Sequence, residues 1–300
     1  KSTMASLRSM RLRMRSIKNI GQVTKALEAV SASRVRKSQQ AMFATRAYAA
    51  KAFNILSHLS QQPGNLTALH PLLHQHDKIE SVTVVLFTSD RGLCGAYNTN
   101  ALRTAMAFAK DQTAPVKFVA VGRKGRDLLL RRRFSVSAEF TNLPAYPTYA
   151  DVSAIGRLLL DDYREGRADK VYLCYTRFVN ALRQEPTIQQ LLPLDPSTAG
   201  EAAGGVESHA TLAAYSYEPA REELLNVIVP RFAQLQVYQA LLESLASEHS
   251  ARMAAMRSAT DNAKDLLGQL QLSYNKARQL SITSDILDIV GGVEALAKSE

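Results

Sequence analysis

Near the start of the chain Leu7, Met10, Met14, Ile17, Ile20, Leu27 and Val30 recur at intervals of three, four or seven residues, with Arg and Lys between them. Such spacing lays one narrow apolar stripe along an α-helix. Helix formers continue through Arg46, Tyr48 and Phe53 to Ser57, and Pro63-Gly64 then stops the run, which predicts a rod of about 50 residues and roughly 75 Å. The far end of the chain repeats the pattern. Phe232 to Ala297 contains no proline, and its stripe passes through Leu235, Tyr238, Leu242, Leu245, Met253, Met256, Leu266, Leu270, Tyr274 and Ala277, a helix of roughly 100 Å. Neither helix can bury its own stripe. The two ends are therefore expected to pair as an antiparallel coiled coil.

Between the ends the period shortens. SVTVVLFT (81–88), VKFVAVG (116–122) and KVYLCYT (170–176) are apolar on both faces and separated by helical stretches, the signature of βαβ units and a mostly parallel sheet covered by helices. QQPGNLTALHPLLHQHDK (61–78) and DPSTAGEAAGGVESHA (195–210) read as surface loops or linkers. The expected fold class is α/β plus long α: a coil-forming helix over 1–60, a central α/β domain over 61–219 and a second coil-forming helix over 220–300.

Charge sharpens this picture. The 300 residues hold 37 Lys and Arg against 27 Asp and Glu, but twelve of the former and one of the latter, Glu28, fall within residues 1–51. The other 249 residues carry 25 and 26, so the whole basic excess sits on the first helix, which calls for an acidic surface opposite it. A transit peptide, a nucleic-acid-binding arm and a helix lying in an acidic protein sleeve share that composition. The stripe outlasts any targeting peptide. No uncharged apolar run approaches the roughly 18 residues of a membrane span, so membrane association is expected through a partner. Only Cys94 and Cys174 occur, without a CxxC, which points to a reducing compartment and to neither a disulfide framework nor a cysteine zinc site.

Candidate chemistry is sparse. SDRGLCG (89–95) sits where a phosphate-binding turn would, after a strand and before a helix, but it has neither the G-x-G-x-x-G nor the G-x-x-x-x-G-K-[ST] spacing. Cys94 has no neighbouring histidine in sequence to make a thiolate and reads as a small packed residue in a tight turn. His70, His74 and His76 beside Asp77 have a spacing that could hold a metal, yet they lie in a proline- and glycine-containing connection and read as a solvated loop. GRKGRDLLLRRR (122–133) lacks interleaved aromatics and reads as a solvated helix face rather than a nucleic-acid platform. No catalytic, cofactor or metal residues are expected.

Five stretches, RSIKNIGQVTKALEAVSASRVRKSQ (15–39), SDRGLCGAYN (89–98), YSYEP (215–219), YQALLESLASEHSARMAAMRSATDNA (238–263) and YNKARQLSITSDILDIVGG (274–292), closely resemble the gamma-subunit family of rotary F-type ATP synthases. They stand in the family's order over nearly the full chain, and SDRGLCGAYNTN and YTRFVNALRQEPTIQQLLPL (175–194) look bacterial in type. The resemblance implies a rotor: an antiparallel coil inside a hexamer of alpha and beta subunits, carrying a Rossmann-like foot that rests on a membrane ring and meets an epsilon-type subunit. One copy serves each complex, catalysis belongs to the beta subunits, and no cofactor is bound here. The implied location is the cytoplasmic face of a bacterial plasma membrane, with the matrix face of the mitochondrial inner membrane as the alternative.

Carried over by motif, the residues facing the beta-subunit levers are Lys25, Leu27, Arg91, Cys94, Arg278, Gln279, Thr283 and Asp285. Tyr215, Tyr217 and Glu218 look like the ring and epsilon side of the foot. Asp285 and Gly292 depart from the Glu and Ala usual in the family; the first shortens the reach of the charge, and the second weakens the helix by about 1 kcal/mol. IVGGVEALA (289–297) suits a tip turning in an apolar collar. The rival readings are a basic coiled-coil nucleic-acid-binding protein with an α/β domain, and a thiol enzyme using Cys94.

Overall fold

The computed structural model describes residues 2–61, 70–76, 78–194 and 221–297. Helix α1 (Ser2–Gln61) and a 3-10 turn (Pro71–Leu73) precede strand β1 (Val82–Phe87), helix α2 (Tyr97–Asp111), strand β2 (Val116–Val121), helix α3 (Arg123–Arg131), strand β3 (Val136–Phe140), helix α4 (Tyr149–Arg164), strands β4 (Lys170–Phe178) and β5 (Gln184–Leu192), and helix α5 (Arg221–Ala297). Helix α5 begins at Arg221, ahead of the proline-free run from Phe232, and carries Pro230 inside it. Two compact units result, 1–30 with 253–300 and 31–252.

In the first unit α1 and α5 run antiparallel. Arg11 Nε donates to Tyr274 Oη at 2.7 Å, Gly21 lies against Ala263, and the Thr24 and Thr260 hydroxyls meet at 2.7 Å. Partners rise along one helix as they fall along the other. Covered positions on α1 step by three and four through Leu7, Met10, Met14, Ile17, Gly21 and Thr24, and those on α5 through Met253, Met256, Thr260, Ala263, Leu267, Leu270, Tyr274 and Ala277. This heptad seam corrects the expected stripe. Ile20, Val30 and Leu266 face outward, about half exposed, while the small Gly21 and polar Thr24 occupy the seam. Intervals of three then seven also fit an apolar list, but only the alternation of three and four keeps one face on a partner. From Ile282 to Gly291 every α5 residue is exposed.

The second unit is built on a five-stranded sheet of order β3-β2-β1-β4-β5, parallel except for β4–β5. All six residues of β1 are buried. Val82, Val84 and Leu86 point to the face covered by Ala101, Leu102 and Ala105 of α2 and Leu129 of α3, whereas Val85 and Phe87 point to Ile155 and Leu159 of α4 and to Phe232 and Leu241 of α5. Two covered faces explain why this strand reads as a continuous apolar run. Met42 of α1 joins the second face. Strands β3 and β5, unmarked by the apolar runs, are the two edges: β3 alternates, and β5 carries Pro186 and a run of Gln.

The connection at 61–78 is not a linker throughout. Pro71–Leu73 forms a 3-10 turn whose Leu72 and Leu73 are buried in the α4 and α5 face of the core.

Candidate functional site

The turn after β1 is fixed from three sides. Ser89 N donates to Asn98 Oδ1 at 3.0 Å, and Ser89 Oγ donates to the Arg91 carbonyl at 2.6 Å and accepts from Asn98 Nδ2 at 2.8 Å. The two oxygens of Asp90 accept from Arg123 N and Asn142 N, and Thr88 Oγ1 accepts from Gly125 N. The amide end of α3, the place for a phosphate in such a turn, is thus occupied by the chain's own groups. Gly122 is required there, since at φ 98° a Cβ would stand 2.2 Å from the Thr88 carbonyl oxygen.

Cys94 lies inside this turn, 2% exposed, with Asn98 Nδ2 donating to its sulfur at 3.2 Å. Burial raises its thiol above the ordinary range, so a resting thiolate is disfavoured. The packed role is the one the geometry supports. Arg91 beside it is exposed.

Helix α5 closes the crevice at the switch between β1 and β4, the place where open α/β sheets receive ligands. Ser244 Oγ meets Tyr97 Oη at 3.0 Å and takes the Thr176 amide, and Ser247 Oγ donates to the Thr176 carbonyl at 2.9 Å. Arg252 donates to the carbonyls of Arg91 and Gly92, each at 3.2 Å, and pairs with Glu248 at 2.7 Å. Burial pushes the Glu248 carboxyl up, and Arg252 and Arg34 hold it back. His249 accepts from Arg252 through Nδ1 and is driven down to about 4 by burial and the same two arginines. Sequence reasoning missed this charged joint. Its one available signal was ionisable residues, Glu248, His249 and Arg252, amid small ones at seam spacing in SLASEHSAR.

The histidine segment is packed at His70 and His76, while His74 is exposed as a solvated loop would have it. His70 is buried and its Nδ1 accepts from Leu72 N at 3.2 Å, so it caps the 3-10 turn. His76 bonds Asp169 at 2.7 Å and stacks on Tyr163. Among the described residues no group of three or more metal-binding side chains gathers; Asp77 lies outside them. In the basic cluster Arg126 pairs with Asp127 and Glu139, while Arg131, Arg132 and Arg133 are exposed.

On the coil Lys25, Arg278, Gln279, Thr283 and Asp285 are exposed, and Leu27 is half-buried. Thr283 Oγ1 donates to the Gln279 carbonyl at 3.0 Å. The seam register sets Lys25 level with about residue 259, so it stands roughly 30 Å along α5 from Arg278. Arg91 and Cys94 belong to the other unit. Tyr215, Tyr217 and Glu218 lie outside the described residues.

The profile of the family described as ATP synthase matches residues 6–296. An ATP synthase gamma chain from Dehalococcoides mccartyi strain CBDB1 is 44% identical over 294 residues, covering 98% of this chain and 100% of its own. The chain belongs to the ATP synthase gamma chain family.

The gamma chain of Roseiflexus castenholzii is 42% identical over 303 residues at the same coverage. A chain from the Tetrahymena thermophila mitochondrial ATP synthase central stalk and c-ring superposes with a TM-score of 0.58 at 26% identity, covering 79% of this chain and 99% of that one. One from the Euglena gracilis mitochondrial ATP synthase reaches 0.64 at 18% identity, covering 97% and 95%, a likeness of fold. As a gamma chain the protein is a non-catalytic part of a membrane-associated ATP synthase, and the nucleic-acid and thiol-enzyme readings lapse. Among the described residues no helix is long and apolar enough to cross a membrane.

Proposed function

We propose that this gamma chain is the shaft that turns within a hexamer of alternating alpha and beta subunits and carries the rotation of a membrane c-ring to the catalytic sites. The observation that supports this most directly is the coil made from the two ends of one chain. Its seam consumes only one face of each helix, which leaves a basic outer surface on α1 and, toward the end of α5, the exposed apolar side chains of Ile282, Ile286, Leu287, Ile289 and Val290. A surface of long-range charge attracts an acidic sleeve at every angle, whereas specific locks would resist turning. Large apolar side chains left in solvent call for a collar.

Lys25, Leu27, Arg278, Gln279, Thr283 and Asp285 are the contacts to the beta levers in this reading, with Arg91 carried on the turn held by Arg252. By contacting one beta subunit at a time, they give each conformational state a different interaction energy, which is what coupling distant sites requires. Tyr215, Tyr217 and Glu218 meet the ring and the epsilon-type subunit. Functionally the chain divides into a coil of 1–60 with 220–300 and a foot of 61–219. The complex sits on the cytoplasmic face of a bacterial plasma membrane.

Co-expression with alpha and beta subunits, followed by native mass and an ATPase assay, tests the assignment. One copy per hexamer, with no hydrolysis by the chain alone, is expected; failure to assemble would overturn it. Arg278→Glu together with Gln279→Ala should lower stall torque in single-molecule rotation more than it lowers assembly, and unchanged torque would remove those contacts from the mechanism.

A further inference from the structure

The best-sealed points of the coil are polar or small rather than the large aliphatic ones. In the unit made of 1–30 and 253–300, the buried positions among the described residues are Thr24 on α1 and Met256, Thr260, Ala263 and Tyr274 on α5. Leu7, Met10, Met14, Ile17, Leu267 and Leu270, in the same seam, are only half-buried. Hydrogen bonds cross the seam at the sealed points. The Thr24 and Thr260 hydroxyls meet at 2.7 Å, and Tyr274 Oη accepts from Arg11 Nε at the same distance. From residue 11 to 24 on α1, and from 260 to 274 on α5, the two ties stand roughly 20 Å apart along the coil.

The threonine pair is not needed to satisfy its own hydroxyls. Thr260 Oγ1 donates to the Met256 carbonyl at 2.8 Å, and Thr24 Oγ1 lies 3.1 Å from the Gly21 carbonyl, so each has an acceptor on its own helix. A hydroxyl has one proton to give. The shorter bond to Met256 spends that of Thr260, so Thr24 donates across the seam. Valine at both sites would keep the shape and exchange two buried hydroxyls for methyls, a double replacement that is neutral or stabilising. What the hydroxyls alone supply is position, because their bond forms only when residue 24 stands level with 260. An apolar seam with flexible Met10, Met14 and Met256 adapts to a slip, whereas one polar layer fixes the register of a coil at a cost in stability. Gly21 draws the helices close enough for side chains this short to meet, since a Cβ there would stand 3.4 Å from that of Ala263.

We propose that Thr24 and Thr260 are positioning residues of the shaft, a buried tie that holds α1 and α5 in one register while the coil is loaded from the side, with Arg11 and Tyr274 as the second tie. The inference rests on the shaft reading. A pair of rods pushed by one subunit at a time bends, and bending slides one rod along the other unless they are joined. Sliding absorbs displacement that would otherwise reach the next subunit. The tie removes that slack from inside the coil and leaves the outer faces of both helices free to turn.

The test compares two paired variants of the full chain, Thr24→Val with Thr260→Val and Thr24→Ser with Thr260→Ser. The valine pair should melt at the same temperature or higher, and the serine pair lower, because serine gives up the buried methyl groups. Register is read as the distance between spin labels on Ser16→Cys and Ser258→Cys, both exposed, while Cys94 and Cys174 are buried. Residue 16 lies level with about 268, so the labels are staggered and a slip of one turn, about 5 Å, changes their separation. The unsubstituted chain and the serine pair should give one distance, and the valine pair should raise the share of slipped molecules about fivefold. Assembled with alpha and beta subunits, the valine pair should lose stall torque in single-molecule rotation and the serine pair should keep it. A single distance or full torque in the valine pair would overturn the proposal, as would equal loss of torque in both pairs, which would mark the threonines as packing alone. Failure of the unsubstituted chain to assemble would overturn the shaft reading instead, and the distances would still decide whether the pair sets the register.

Discussion

The two units of this chain bury their surfaces in opposite ways. In the α/β unit the central strand is covered on both faces, and its contacts are apolar side chains closed away from water. In the coil each helix offers one seam, interrupted by Gly21, Thr24 and Thr260, and leaves Leu12, Ile20, Val23 and Leu272 in solvent. The first is a structure that holds itself together. The second is a pair of helices with little area to bury against each other, and its stability is borrowed from whatever surrounds it, which suits an element that must slide rather than lock.

Substitutions can break that contrast at its strong side first. Phe87→Ala, at a side chain closed from solvent between the sheet and helices α4 and α5, should cost about 4 kcal/mol in denaturant unfolding, against about 1 kcal/mol for the half-buried Ile17→Ala in the coil. Comparable losses would show that the coil is as tightly packed as the sheet. Next, Arg252→Leu should cost about 3 kcal/mol by stranding the buried Glu248 and two backbone carbonyls. Adding Glu248→Leu should recover part of that loss, because the stranded charge goes with it.

Acid sharpens the same comparison. Between pH 6.5 and about 4 the unfolded chain takes up the proton that buried His249 refuses, so the stability of the α/β unit is present above that window and falls as pH drops through it, by about 3 kcal/mol at most. His249→Leu should flatten the loss in a pH series of melting curves, leaving the carboxylates to account for the remainder. The smallest effect belongs to the coil surface. Arg11→Leu removes a hydrogen bond and a cation–π contact to Tyr274, yet at an exposed site it should cost under about 1 kcal/mol, and hydrogen exchange should show fraying only around residues 11 and 274.

Both long helices, their antiparallel pairing and the three inner strands followed from the spacing of apolar residues, because a face buried in a partner must repeat with the period of its element. The family was legible in five motifs, and the comparisons bear the family out. The edge strands were not legible. β5 mixes Pro186 with glutamines, since an edge needs only one good face and gains from resisting further pairing. The spacing also places Ile20, Val30 and Leu266 in the seam, because an exposed apolar residue looks the same in sequence as one bound for the coil.

Composition and spacing alone also determined that the basic excess belongs to α1 and that no nucleotide fingerprint is present. Only the tertiary structure decided that Cys94 is sealed within its turn, that His70 caps a buried 3-10 turn, and that Arg252, paired with Glu248, meets the Gly92 carbonyl from 160 residues away. Local patterns are written in neighbours three or four residues apart, whereas these contacts depend on which strand lies beside which, and no periodicity in the chain encodes that order.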